Sequence, residues 1–85
     1  MHITSVTIPY TVTVIGECAF ADCKELETVI IGKGVEVISY GAFDSCQKIT
    51  NIYYEGTEEE WNQIDIGASN HCLYDLTIHF NYSAE

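Results

Sequence analysis

His71, Cys72, Asp75 and His79 are the one grouping of metal-ligand side-chain types in this sequence. His71 and Asp75 are four apart, a spacing that would bring both to one side of a helix and could start a zinc site. The apolar residues between them argue otherwise. Leu73, Leu76 and Ile78 read as loop and strand, where the four polar groups would scatter to different faces, so no metal site is expected. Cys23 and Cys46 could supply thiol chemistry, but a nucleophilic cysteine needs a lowered pKa and partial exposure. Both are expected to be buried and inert, packing as small hydrophobes. A Cys23–Cys46 disulfide remains open if the Cα atoms come within about 7 Å. Cys18 and Cys72 fit no pattern. "EGTEEE" at 55–60 gathers Glu55, Glu58, Glu59 and Glu60, yet it lacks the alternating ligands and central glycine of a calcium loop. Asn81-Tyr82-Ser83 matches a glycosylation acceptor. None of these residues is expected to be catalytic, and no cofactor is expected.

The chain has 85 residues with 13 acids, three lysines and no arginine, a net charge of -10. Phosphate contacts need Lys and Arg, so nucleic acid and anionic membrane surfaces are poor partners. No apolar run approaches the roughly 18 residues of a membrane span, so no membrane insertion is expected. No opening stretch reads as a signal peptide. With 47% hydrophobic residues the chain should fold as one small domain.

The strongest signal is internal repetition. "VIGECAFADC" from Val14 returns as "VISYGAFDSC" from Val37. A shift of 23 matches Val6 to Val29, Ile8 to Ile31, Val12 to Val35, Val14 to Val37, Ile15 to Ile38, Ala19 to Ala42, Phe20 to Phe43 and Cys23 to Cys46. Polar positions drift while apolar ones persist, as expected when each unit buries its apolar side chains against the next. Leu26-x-x-Val29-x-Ile31 alternates like a short strand, and so do the stretches starting at Ile3, Ile49 and Leu73. Four short parallel strands are predicted near 5–8, 28–31, 51–54 and 76–80. "VTVIG" and "VEVIS" should add a second, short β segment, and "ECAFADC" and "YGAFDSC" a helical turn. Residues 57–64 break the repeat. Thr57 and Glu60 form a capping box, predicting a short helix with Trp61 and Ile64 inward. Its acids suit the positive end of the helix dipole.

These features together resemble the BspA-like (Treponema pallidum type) leucine-rich repeat. The resemblance rests on V-x-x-I-G, A-F-x-x-C, L-x-x-V and the turn after the strand, Ile8-Pro9 or Ile31-Gly32. "YYEGTEEEWNQIDIG" followed by "LYDLTIHFN" looks like the closing repeat of such an array. It implies an α/β fold: a right-handed leucine-rich-repeat solenoid of about four short parallel strands with helical turns and a capping helix. The organisation expected is a single repeat domain over 1–85, with two 23-residue repeats in 1–54 and an atypical capping repeat in 55–85. Thr11 and Gly34 stand where ordinary leucine-rich repeats carry Asn, so no asparagine ladder is expected.

The resemblance further implies an extracellular or cell-surface protein that binds or adheres to an unknown protein, such as a host or matrix component, and it carries no catalytic residues. The strand face is the usual binding surface. Its expected columns are Ser5, Thr28, Asn51 and Asp75; Thr7, Ile30, Tyr53 and Thr77; and Pro9, Gly32, Glu55 and His79. Thr28, Ile30, Asn51, Tyr53, Glu55, Asp75, Thr77 and His79 are thus the candidate contact residues, with Tyr53 beside Ile30 as anchor. The alternative is a purely structural capping or spacer segment. The first strand has nothing before it to cover its edge, which suggests a fragment of a longer repeat protein and self-association through that N-terminal edge.

Overall fold

The structure, a computed structural model, describes residues 3–83. Strands β1 (Ser5–Ile8), β3 (Thr28–Ile31) and β5 (Asn51–Tyr54) lie where the alternating apolar residues place them. With β7 (Ile78–His79) they form a four-stranded parallel sheet in the order β1-β3-β5-β7. The register follows the repeat: Val6 faces Val29, which faces Ile52, and Ile8 faces Ile31, which faces Tyr54. A second parallel sheet joins β2 (Val14–Ile15), β4 (Val37–Ile38) and β6 (Asp65–Ile66). Each turn of chain thus contributes one strand to each sheet, and its inward side chains meet between them. Val29, Ile31, Ile38, Phe43, Ile52 and Tyr54 are fully buried there.

The "AFxxC" segments are not helical. Inside them, amides alternate between two kinds of partner. Ala19, Ala21 and Cys23 donate to carbonyls three residues back, at Gly16, Cys18 and Phe20. Cys18, Phe20 and Asp22 donate across to the carbonyls of Tyr40, Ala42 and Asp44 in the next unit, at 2.7–3.1 Å. This alternation needs left-handed backbone at every fourth residue. It occurs at Cys18 and Asp22 (φ 56° and 59°) and again, 23 residues on, at Gly41 and Ser45 (φ 63° and 61°). A helical turn would direct all these amides inward along its own axis. The ladder instead bonds unit to unit and replaces the expected helix.

Helix α1 (Glu58–Asn62) is present and follows its sequence signal. Thr57 Oγ1 accepts from the Glu60 amide at 3.1 Å, and Glu60 Oε1 accepts from the Thr57 amide at 2.8 Å. That amide bond holds the Glu60 carboxyl below its usual range. Trp61 and Ile64 are buried, with Trp61 edge-on to Tyr54 at 5.2 Å. Gly56 has no room for a Cβ, which would lie 2.7 Å from the Glu60 carboxylate and 2.8 Å from the Tyr54 ring.

The last unit departs from expectation. Tyr54 to Asp65 takes five residues more than Ile31 to Val37, to accommodate α1. Between register-equivalent positions, the path from Asp65 to Ile78 is two residues shorter than that from Val37 to Ile52, so the strand offset becomes 26. The strand expected at 76–80 is only Ile78–His79, and residues 72–75, expected as loop, form helix α2 (Cys72–Asp75).

Candidate functional site

The strand face is set by parity. In β3 and β5 the residues Val29, Ile31, Ile52 and Tyr54 point inward, leaving Thr28, Ile30, Asn51 and Tyr53 half-buried on the other side. Ile30 and Tyr53 are register partners, as are Thr28 and Asn51. Glu55, just past β5 and also half-buried, has its amide bonded to the Ile31 carbonyl at 3.1 Å.

The fourth member of each expected column is corrected by the 26-residue offset. Ile52 pairs with Ile78 and Tyr53 with His79, so His79 rather than Thr77 lies beside Tyr53, not beside Glu55. Thr77 is exposed and precedes the strand. Asp75 is in helix α2 and belongs to no strand column, and its side chain lies outside the described residues. Residue parity conceals this slip, because a shift of two keeps each side chain on its own face.

The corrected register assembles a cluster absent from the sequence reading. The His79 ring stacks on Tyr53 with centroids 4.9 Å apart and planes 27° apart. Tyr82 leans on the other ring of the pair, Tyr53, at 4.9 Å and 43°. Tyr82 is held there by its backbone. Its amide donates to Tyr54 at 3.0 Å, and the amide of Asn81 donates to Gly56 at 2.8 Å. The only sequence signal for Tyr82 was its part in a glycosylation triplet.

The cysteines form a second feature. The offsets 23 and 26 that bring Val29, Ile52 and Ile78 into line also align Cys23, Cys46 and Cys72, so Cys72 fits the repeat after all. The Cys46 thiol donates to the Phe20 carbonyl at 3.0 Å, and the Cys72 thiol makes the same contact to Phe43 at 3.9 Å. Cys18 is the counterpart of Gly41 in the turn ladder and is exposed. Among the described residues no disulfide forms. Burial pushes the Cys46 thiol from 9.0 up to about 11, further raised by Cys72, Cys23 and Asp22 and opposed by the Cys23 backbone. At neutral pH it is a buried thiol, a poor nucleophile. A shallow cavity of about 350 Å³ beside it is lined by Phe43, Ile49, His71, Cys72 and Leu76. Among the described residues no three His, Cys, Asp or Glu side chains are placed to hold a metal ion.

Asn70 is the one buried polar side chain among the described residues, at 1% exposure. Its Oδ1 accepts the Phe43 amide at 2.9 Å, and its Nδ2 donates to the Ser39 and Gly67 carbonyls, each at 3.0 Å. In the preceding unit the Phe20 amide goes to a backbone carbonyl, that of Ala42. Asn70 therefore supplies from a side chain what the next unit supplies elsewhere from its backbone.

A family described as the BspA type leucine-rich repeat region (6 copies) matches residues 1–83. The chain belongs to this family. A crystal structure of a leucine rich cell surface protein from Faecalibacterium prausnitzii superposes on the BspA-type fold with a TM-score of 0.70. It is 39% identical in sequence over 73% of this chain, which spans 16% of that protein's length. Among curated proteins none matches. The BspA-type assignment accounts for the parallel leucine-rich architecture, and among the described residues no helix is long and apolar enough to cross a membrane.

Proposed function

We propose that this chain is a protein-binding unit of a larger cell-surface or secreted repeat protein, acting in adhesion through its strand face. The observation that carries the reading is the patch on that face. Ile30 and Tyr53 sit side by side, and Tyr53 is packed against His79 and Tyr82, the histidine exposed and the two tyrosines half-buried. Tyr offers large contact area at low entropy cost, which is why it anchors interfaces. The similarity to a leucine rich cell surface protein supports a surface location. The crossovers between parallel strands are read as right-handed, the hand in which such connections pack. Residues 55–85 act as a closing unit, in which α1 brings Trp61 over the last apolar layer.

A spacer role is the second reading, and Asn70 favours it. A side chain that ends the turn ladder suits a segment whose work is to close an array. The two readings separate in an adhesion assay. Beads carrying the chain are tested on immobilised matrix and serum proteins, with Ile30→Glu and Tyr53→Asp against a turn-side control, Asp44→Lys. Contact through the strand face lowers adhesion at least tenfold in the first two only. Adhesion unchanged by both strand-face variants rejects the binding reading.

A further inference from the structure

The chemistry around the Tyr53–His79–Tyr82 cluster specifies a partner more closely than "protein". The faces of electron-rich rings attract cations, and a planar guanidinium both stacks on tyrosine and is weakly hydrated. Glu55, half-buried and two residues beyond Tyr53, has the strand parity of Tyr53 and adds a negative charge to that side of the chain. The lysines lie elsewhere: Lys48 pairs with Glu25 at 3.4 Å between exposed turns, Lys33 acts on Glu60, and Lys24 is in the turn before β3. The whole chain carries -10, so its field favours the approach of cations over anions.

Resting on the strand-face reading above, we infer that the Tyr53–His79–Tyr82 cluster docks an arginine-rich segment of a partner protein. One guanidinium stacks on the part of the half-buried tyrosine rings that faces solvent, and a neighbouring cation meets Glu55. Charge steers the encounter; the rings select arginine and hold it.

The test uses hexa-arginine peptide as probe, titrated into the chain by calorimetry, with hexa-glutamate and a glycine–serine peptide as controls. Tyr53→Thr removes a ring while keeping a strand-forming residue, and Tyr82→Ser removes one outside any strand. Neither alters net charge. The expected result is binding of hexa-arginine alone, weakened about three- to tenfold in each variant. Equal affinity for parent and both ring variants overturns the inference, because charge alone then explains the binding. Absence of hexa-arginine binding, with adhesion still lost in Ile30→Glu and Tyr53→Asp, overturns it too and leaves the strand-face reading standing. Absence of both effects removes the two together.

Discussion

Phe20 passes its amide hydrogen to the Ala42 carbonyl; Phe43, one unit on, passes its own to Asn70 Oδ1. The swap matters because Asn70 is sealed from water, and a buried donor or acceptor without a partner costs about 1–3 kcal/mol. Asn70→Leu leaves the buried Phe43 amide unmatched, while the Ser39 carbonyl keeps the Ala42 amide at 3.2 Å, so unfolding in urea should show a loss of about 1–3 kcal/mol. A loss under about 0.5 kcal/mol, the scale of an ordinary surface substitution, would mean that Asn70 only fills space. Cys46 carries a second residue-scale expectation. Its folded pKa lies above the unfolded one, so its contribution is complete below pH 9.0 and declines as pH rises toward about 11. Over that window the unfolded thiol ionises while the folded one stays protonated, and unfolding releases a proton. Stability of the parent should fall more steeply between pH 9 and 11 than that of Cys46→Ala. Parallel curves for the two proteins would show the Cys46 thiol to titrate normally.

Left-handed backbone in the turn ladder is a property of the element, since it recurs at matched places in two units. Gly41 adopts it freely, whereas Cys18, its counterpart, bears a Cβ there at a cost of roughly 1–2 kcal/mol. Cys18→Gly should therefore raise stability by about 0.5–1 kcal/mol and Gly41→Ala lower it by about 1 kcal/mol. A Cβ at Gly41 meets only ordinary contacts, 3.5 Å from Cys18 Sγ and 3.6 Å from Asp44 Cβ, so backbone conformation alone decides the sign. Matched thermal melts check both, and a destabilised Cys18→Gly would count against the ladder. The same ladder marks where the sequence stopped being legible. Strands β1, β3 and β5 could be read to the residue because side-chain alternation and the 23-residue shift agree. Helix α1 could be read because a capping box states its start. The turns could not, because alternating backbone handedness leaves no periodicity in side-chain type, and Cys, Asp and Ser hold it as well as Gly. The last strand was misplaced by two residues because Leu76 and Ile78 satisfy the same inward parity. That slip sent His79 to the wrong column and hid its contact with Tyr53.

At the scale of the whole molecule, stability is a sum over stacked neighbours, and the two ends of the stack are unlike. Phe43 has 1% of its surface exposed, between Phe20, stacked on it at 5.4 Å, and the last unit. Among the described residues Phe20 has no second ring stacked on it, and it is only half-buried. Val6 and Val12 are half-buried and Ala19 is exposed, whereas Ala42 is fully buried. Val6, Val12 and Ala19, with Ile8, Val14, Ile15 and Phe20, line an apolar recess of about 300 Å³, and Val14 is 51% exposed. Among the described residues β1 pairs only with β3, so its outer edge is open, and no charged side chain within Ser5–Ile8 guards it. Open strand edges and apolar recesses both favour association. The opposing term is charge: -10 on each copy repels the other, and added salt screens that repulsion within about 10 Å at 0.1 M. The isolated chain should therefore self-associate as concentration rises, and more strongly in high salt, where electrostatic repulsion fades and apolar burial persists. Val14→Lys, which adds a charge at the rim of the recess, should return it to monomer. Light scattering over a concentration series at low and high salt reads all three effects. A chain monomeric throughout would refute self-association, and a Val14→Lys variant that associates like the parent would place the sticky surface elsewhere.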